Sequence, residues 1–172
     1  KAQALQLEKA IETELKDLNF AEVQFQIHFD KLADYTADGV DDVEFLISMN
    51  PGQPVKPLAE VASGGELSRT MLAIKTVMAD RDEIETLIFD EIDVGISGRT
   101  AQKVSEKMAV IGRNHQVICI THLAQIAAQA DQHYLIEKTV DGGVTRTEIR
   151  KLSEEESIDE LARILGGAEI TE

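Results

Sequence analysis

Cysteine occurs once in the 172 residues, at Cys119; proline occurs three times and tryptophan not at all. A single thiol excludes a disulfide framework and a multi-thiolate zinc site, and it fits a reducing compartment. The three prolines, Pro51, Pro54 and Pro57, share one short loop, so no helix runs through it and the rest of the chain is free of them. No uninterrupted apolar run exceeds four residues, against the about 20 that a membrane-spanning helix needs, and no membrane partner is expected. The opening residues show no basic, apolar leader of the secretory kind. Positive charge is scarce as well. Seventeen Lys and Arg against 32 Asp and Glu leave a net −15, which excludes a broad basic face for nucleic acid on this part of the molecule. What is present is a 43% apolar share, enough for a packed core. The length suits one domain or one lobe of a larger enzyme.

Residues 1–19 lack Pro and Gly and repeat Leu7, Ile11, Leu15 and Leu18 at helical spacing. That predicts a helix with one packed or coiled-coil face, uncapped at its start and read as the end of a longer helix. From 20 to 29 the period becomes two, with Val23, Phe25, Ile27 and Phe29 alternating with polar residues, a half-buried strand. Asp38-Gly39 predicts a turn and 43–49 a second strand. Beyond the Pro loop, helices and apolar strands alternate. A helix over 63–79 carries Leu67, Met71, Ile74 and Met78 on one face, and a strand over 86–89 is expected to be covered on both faces. A helix over 97–112 places Ala101, Val104, Met108 and Ile111 inward, followed by a strand over 116–121 and a short helix over 123–130. Strands over 134–140 and 144–150 meet across Asp141-Gly142-Gly143, a hairpin signal. The last helix opens on a capping box, Ser153 to Glu156, carries an apolar stripe of Ile158, Leu161 and Leu165, and stops at Gly166. This order predicts an α/β fold with a largely parallel central sheet, flanking helices and an antiparallel hairpin near the C-terminus.

Three features carry chemistry, each at a strand end or a helix start. Ser63-Gly64-Gly65-Glu66-Leu67-Ser68-Arg69 is, alone, a capping box with Ser63 as N-cap and Glu66 three residues on. Two glycines in the first helical turn cost about 1 kcal/mol each relative to alanine. They make sense where a ligand approaches bare backbone N–H groups, and a helix N-terminus is a phosphate site. Leu87-Ile88-Phe89-Asp90-Glu91-Ile92-Asp93 is an apolar strand delivering adjacent carboxylates at its end, the Walker B arrangement. Asp90 would hold Mg²⁺, largely through water, and Glu91 would polarise the attacking water; the same string also suits an inert acidic turn. Val117-Ile118-Cys119-Ile120-Thr121-His122 ends a second strand in a polar pair, putting His122 at the same sheet edge, where imidazole could bond a γ-phosphate. His28, His115 and His133 have no metal-ligand spacing, and Cys119 reads as core.

Glycine signature, helix, Walker B strand, helix and strand-His, in this order, resemble the second half of an ABC-type ATPase. No G-x-x-x-x-G-K-[ST] occurs, and Lys56, Lys75 and Lys103 lack the preceding glycines, so the chain holds half of a nucleotide site. The wording is more specific still. ASGGELSR, MLAIKTVMA, IFDEIDVGISG and THLAQIAAQADQHYLIEK resemble the RecN family of bacterial SMC-like DNA repair ATPases, from about Val61 to Gly167. That resemblance implies an SMC-type head lobe over 20–172 preceded by a coiled-coil end over 1–19. It implies that Ser63, Gly64 and Gly65, with Glu66 beside them, bind the γ-phosphate of ATP held by a second protomer. It further implies that Asp90 positions Mg²⁺, Glu91 activates water, Asp93 is the D-loop aspartate at the dimer interface, and His122 senses γ-phosphate. Ser68 and Arg69 belong to the motif without an assigned role.

The implied partners are an N-terminal half of the same head carrying the P-loop, a second protomer, DNA contacted mainly elsewhere, and recombination proteins. The implied setting is the bacterial cytoplasm at the nucleoid. The lobe alone is expected to be inactive. Two alternatives stay open: the ATPase half of an ABC transporter, disfavoured by the lack of D-E-P after Walker B, and a non-catalytic degenerate head serving as an interaction module. Arg146, Arg150 and Lys151 form a weak basic cluster on the last hairpin, ordinary for an edge strand.

Overall fold

The computed structural model describes residues 2–61, 63–81, 83–141 and 143–166. Helix α1 (Ala2–Asp17) buries Ile11 and Leu15 completely, with Leu18 just beyond its end, and half-buries Leu7. Strand β1 (Gln24–Thr36) runs antiparallel to β2 (Gly39–Ser48), which pairs briefly with β3 (Lys56–Pro57). The expected alternation holds at its start, where Phe25 is buried and Ile27 half-buried, but the strand extends beyond Phe29 as an exposed ribbon. Two carboxylates of α1 complete the free edge of β1: Phe25 N donates to Glu12 Oε1 at 2.9 Å and Ile27 N to Glu8 Oε1 at 2.7 Å. Those bonds satisfy backbone donors that would otherwise be unpaired, and they fix the helix against the strand.

Helix α2 (Gly64–Met78) and α3 (Gly98–Ile111) pack on each other, and α1 packs on α2. Lys107 of α3 ties back to α1 through ion pairs with Glu14 and, at 3.1 Å, Asp17. Burial opposes its charge, but the two carboxylates win and hold the Lys107 ammonium above its ordinary range. The inward set of α3 is the expected one: Ala101, Val104, Met108 and Ile111. Helix α2 keeps its apolar face only in part, with Ile74 buried and Met71 half-buried. Its buried residues are Gly65, Arg69, Thr70, Leu72, Ala73 and Ile74, whereas Leu67 and Met78 are exposed at 36% and 38%. The helix is apolar around most of its circumference, so its own period could not choose the face; neighbouring elements chose it.

Strand β4 (Thr86–Phe89) pairs in parallel with β5 (Gln116–Cys119). Leu87 and Phe89 enter the core, but Ile88, expected to be covered, is 67% exposed. Its register partner Ile118 is 44% exposed and Ile120 47%. One face of this parallel pair is therefore open, because no element among the described residues is layered on it. After α4 (Ala124–Ala127), β6 (Tyr134–Asp141) and β7 (Val144–Lys151) form the expected antiparallel hairpin, although Gly142 of its turn lies outside the described residues. Arg150 is already compensated, by Glu156 at 2.7 Å and Glu137 at 3.7 Å. Helix α5 (Glu154–Gly166) opens on a formed capping box: Ser153 N donates to Glu156 Oε2 at 2.8 Å and Glu156 N to Ser153 Oγ at 3.2 Å. Its apolar stripe is not covered, with Ile158 and Leu165 both exposed.

Candidate functional site

The chemistry gathers at the C-terminal edge of the parallel pair. Beyond the last ladder residues, Ile120 N still donates to Phe89 O at 3.0 Å, so the segments leaving β4 and β5 start side by side. The first carries Asp90, Glu91 and Asp93; the second carries Thr121 and His122. Asp90 and Glu91 are exposed, while Ile92 is fully buried and Asp93 only 3% exposed. Burying Ile92 pulls the turn into the protein directly after Glu91, and Glu91 itself sits at φ 57°. A non-glycine residue in that left-handed region is strained by about 1–3 kcal/mol and persists only where its surroundings over-determine it.

Asp93 is turned inward, with its carboxylate engaged inside its own chain. Oδ2 accepts from Thr121 Oγ1 at 2.6 Å and from His122 N at 2.8 Å, and stands 3.0 Å from His122 Nδ1. Thr121 in turn accepts from Leu123 N at 3.1 Å. One buried carboxylate thus fixes the backbone and ring of His122, whose side chain is 73% exposed and faces solvent. Resemblance implies an interface role for Asp93; the geometry gives it an internal one, which sequence reasoning missed. Burial, with Asp93 and Asp90 adding to it, pushes the Cys119 thiol up to about 12, so it is a neutral packing group beside the site.

The N-terminus of α2 abuts this edge. Ser63 caps the helix, its Oγ accepting from Glu66 N at 3.4 Å. Both glycines have a steric reason close at hand. A Cβ on Gly64 would collide with the Glu91 carboxylate, and one on Gly65 would lie 3.0 Å from Glu91 O and 3.2 Å from both Arg69 Nη1 and Val94 Cβ. The bare first turn therefore accommodates the Glu91 loop, and Glu91 stands where the helix end favours negative charge. Ser68 and Arg69, without a role from sequence, reach the same loop: Ser68 Oγ donates to Asp90 O at 2.6 Å, and Arg69 Nη1 to Val94 O at 2.8 Å and Ile92 O at 3.2 Å. Arg69 is 7% exposed, and its guanidinium lies 5.4 Å from the Phe20 ring centroid. Burial lowers its pKa, against an opposing pull from Glu66.

Asp90 keeps one oxygen for a metal, since Oδ1 accepts from Glu91 N at 2.8 Å. No group of three or more His, Cys, Asp or Glu able to hold a metal occurs among the described residues. The second Asp90 oxygen suits Mg²⁺, which takes one or two carboxylates and completes its octahedron with phosphate oxygens and water. An open apolar hollow of about 340 Å³ lies between Val43, Phe45, Leu58 and Leu67. It includes none of Asp90, Glu91, Asp93 and His122, and the chemistry, not the hollow, marks the site.

No family model matches the chain. Curated relatives do. A DNA repair protein RecN from Halalkalibacterium halodurans is 47% identical over 98% of this chain, and one from Vibrio cholerae 44% identical over 98%. The chain belongs to the RecN family. It spans about a third of the length of these RecN relatives, 31% of each. Among solved structures, an Smc head domain with a coiled coil and joint from Pyrococcus yayanosii is 24% identical with a TM-score of 0.61, over 94% of this chain and 29% of that one. An Smc head domain with an extended coiled coil from Pyrococcus furiosus gives 0.57 at 23% identity, over 92% and 37%. The RecN-family chain thus has the α/β fold of SMC head domains, and its own β6–β7 hairpin lies near the C-terminal end of that fold. No helix among the described residues is long and apolar enough to cross a membrane.

Proposed function

We propose that this chain is the C-terminal lobe, over 20–172, of an SMC-like ATPase head acting in DNA double-strand break repair, with 1–19 as the end of its coiled-coil arm. ATP is sandwiched between two heads, drives their engagement, and releases them on hydrolysis. The observation that carries this is the convergence of the Ser63-Gly64-Gly65 helix start, Asp90-Glu91 and His122 at one edge of the β4–β5 pair. In each head Glu91 orients and deprotonates the attacking water, His122 donates a hydrogen bond to the γ-phosphate, and Ser63 with the first amides of α2 receives the γ-phosphate of the partner's ATP. Asp90 would hold Mg²⁺, which when bound neutralises phosphate charge. The phosphate-cradling P-loop comes from an N-terminal half of the same head. The open isoleucine face of Ile88, Ile118 and Ile120 supports a missing layer there, since apolar sheet faces are stable when covered. With a net charge of −15, DNA contact belongs mainly to other parts of the protein, and recombination proteins are the expected associates.

The test is turnover with and without a P-loop-bearing half. The 172-residue chain alone is expected to hydrolyse no ATP, the completed head to hydrolyse it, and Glu91→Gln to retain ATP-bound dimers. Robust turnover by the lone chain would overturn the half-site assignment. Faster turnover without dimers in Glu91→Gln would remove Glu91 as the base.

A further inference from the structure

Two consecutive residues of the signature helix hold three carbonyl groups of the loop around Glu91. Ser68 grips the carbonyl of Asp90, directly before Glu91, and Arg69 grips those of Ile92 and Val94, after it. Glu91 is the left-handed residue between these two grips. Its own loop adds Val94 N to Glu91 O at 3.1 Å and Glu91 N to Asp90 Oδ1 at 2.8 Å. Gly65 lets the loop approach so closely, since Glu91 O is 3.0 Å from where a Cβ would stand.

Beyond its contact with the Phe20 ring, Arg69 is a costly choice for stability alone. It is buried without a carboxylate bonded to it, its Nε has no hydrogen-bond partner among the described residues, and its guanidinium spends two bonds on backbone oxygens. Burying a cation in this way is costly, and its geometric result is to fix the loop relative to α2. Ser68 is half-buried and is not one of the core residues, yet its hydroxyl is turned back onto the strand end.

We propose that Ser68 and Arg69 are positioning residues for hydrolysis: together they clamp the backbone on both sides of Glu91 and so aim its carboxylate. This rests on the assignment of Glu91 as the base. Because the clamp belongs to the helix whose first turn meets the partner's nucleotide, a shift of α2 on head engagement moves Glu91 with it. Hydrolysis is thereby tied to a completed dimer.

The experiment uses the complete ATPase containing this chain and measures kcat, KM for ATP, and the lifetime of ATP-bound dimers. Arg69→Met removes the donors and keeps apolar bulk; it is expected to lower kcat at least about ten-fold with KM changed less than about two-fold, and to prolong the dimer as Glu91→Gln does. Arg69→Lys, which keeps a cationic donor but on a shorter stem with a non-planar head, should fall between. Ser68→Ala, which removes one hydroxyl at a half-buried position outside the core, should lower kcat about three-fold or more with KM and the urea midpoint unchanged. Adding Arg69→Met to Glu91→Gln should cause no further loss of turnover. Unchanged kcat in Ser68→Ala and Arg69→Met, or equal losses in ATP binding and turnover, would overturn the clamp. An unmodified protein without turnover would instead overturn the ATPase assignment beneath it.

Discussion

Replacing Asp93 by alanine isolates the energetic worth of the internal anchor on His122. The lost carboxylate accepts from the Thr121 hydroxyl at 2.6 Å and the His122 amide at 2.8 Å, with the imidazole Nδ1 at 3.0 Å. Hydrogen bonds to a charged acceptor contribute about 1.5–3 kcal/mol each, most where the stranded donor stays buried. The hydroxyl and amide are partly buried, so each is set near the lower end, while the 73% exposed imidazole regains water and adds little. The expected loss is about 3 kcal/mol. Urea denaturation followed by circular dichroism, with a slope of about 2 kcal/mol/M, would show this as a midpoint lowered by about 1.5 M. Asp93→Asn keeps one acceptor oxygen and should lose about half as much. Thr121→Val removes one donor, and its cycle with Asp93→Ala should give a coupling energy of about 1 kcal/mol or more. A loss below about 0.5 kcal/mol in Asp93→Ala, with no coupling to Thr121, would refute the view that this buried carboxylate organises the His122 turn.

Lys107→Met should destabilise the α1–α3 junction by about 1–3 kcal/mol, because Glu14 and Asp17 lose their cation at a contact only partly open to water. Since the folded state raises the Lys107 pKa, its contribution is fully present below the unfolded value of about 10.4 and is lost as pH rises through the folded value. Unfolding free energies of the two chains should therefore differ by a constant amount through neutral pH and converge only in strong alkali; convergence near pH 8 would contradict the pairing. Cys119, held as a thiol by burial and by Asp93 and Asp90, should react with iodoacetamide at pH 8 far more slowly in the native chain than in urea. Equal rates in the two states would show the thiol to be open and ionisable.

Local signals served well wherever a residue's partners were close in sequence. The Ser153–Glu156 capping box formed as expected, strand β4 has the expected bounds, and the hairpin strands lie within one residue of expectation. The α1 stripe of Ile11, Leu15 and Leu18 is buried as its spacing required. Where the pattern was degenerate it misled. Helix α2 carries apolar residues on several sides, and the face that turned inward is the one bearing Gly65 and Arg69, chosen by contacts with residues more than 20 positions away. Likewise a short apolar run at β4 suggested two covered faces, but coverage depends on a layer that the run itself does not encode.

Cysteine, proline and positive charge, scarce from the outset, bounded the chemistry by themselves: no disulfides, no thiolate metal cage, no broad basic face. The order of motifs and the absent P-loop were also complete in one dimension, because a motif is a local string and its absence is visible by inspection. What only the tertiary structure decided is how those strings meet. Asp93 bonding Thr121 and His122, Ser68 and Arg69 gripping the carbonyls around Glu91, and two glycines making room for that loop all join residues from separate elements. Hydrogen bonds and steric exclusion act over about 3 Å, and only folding brings those atoms within that range.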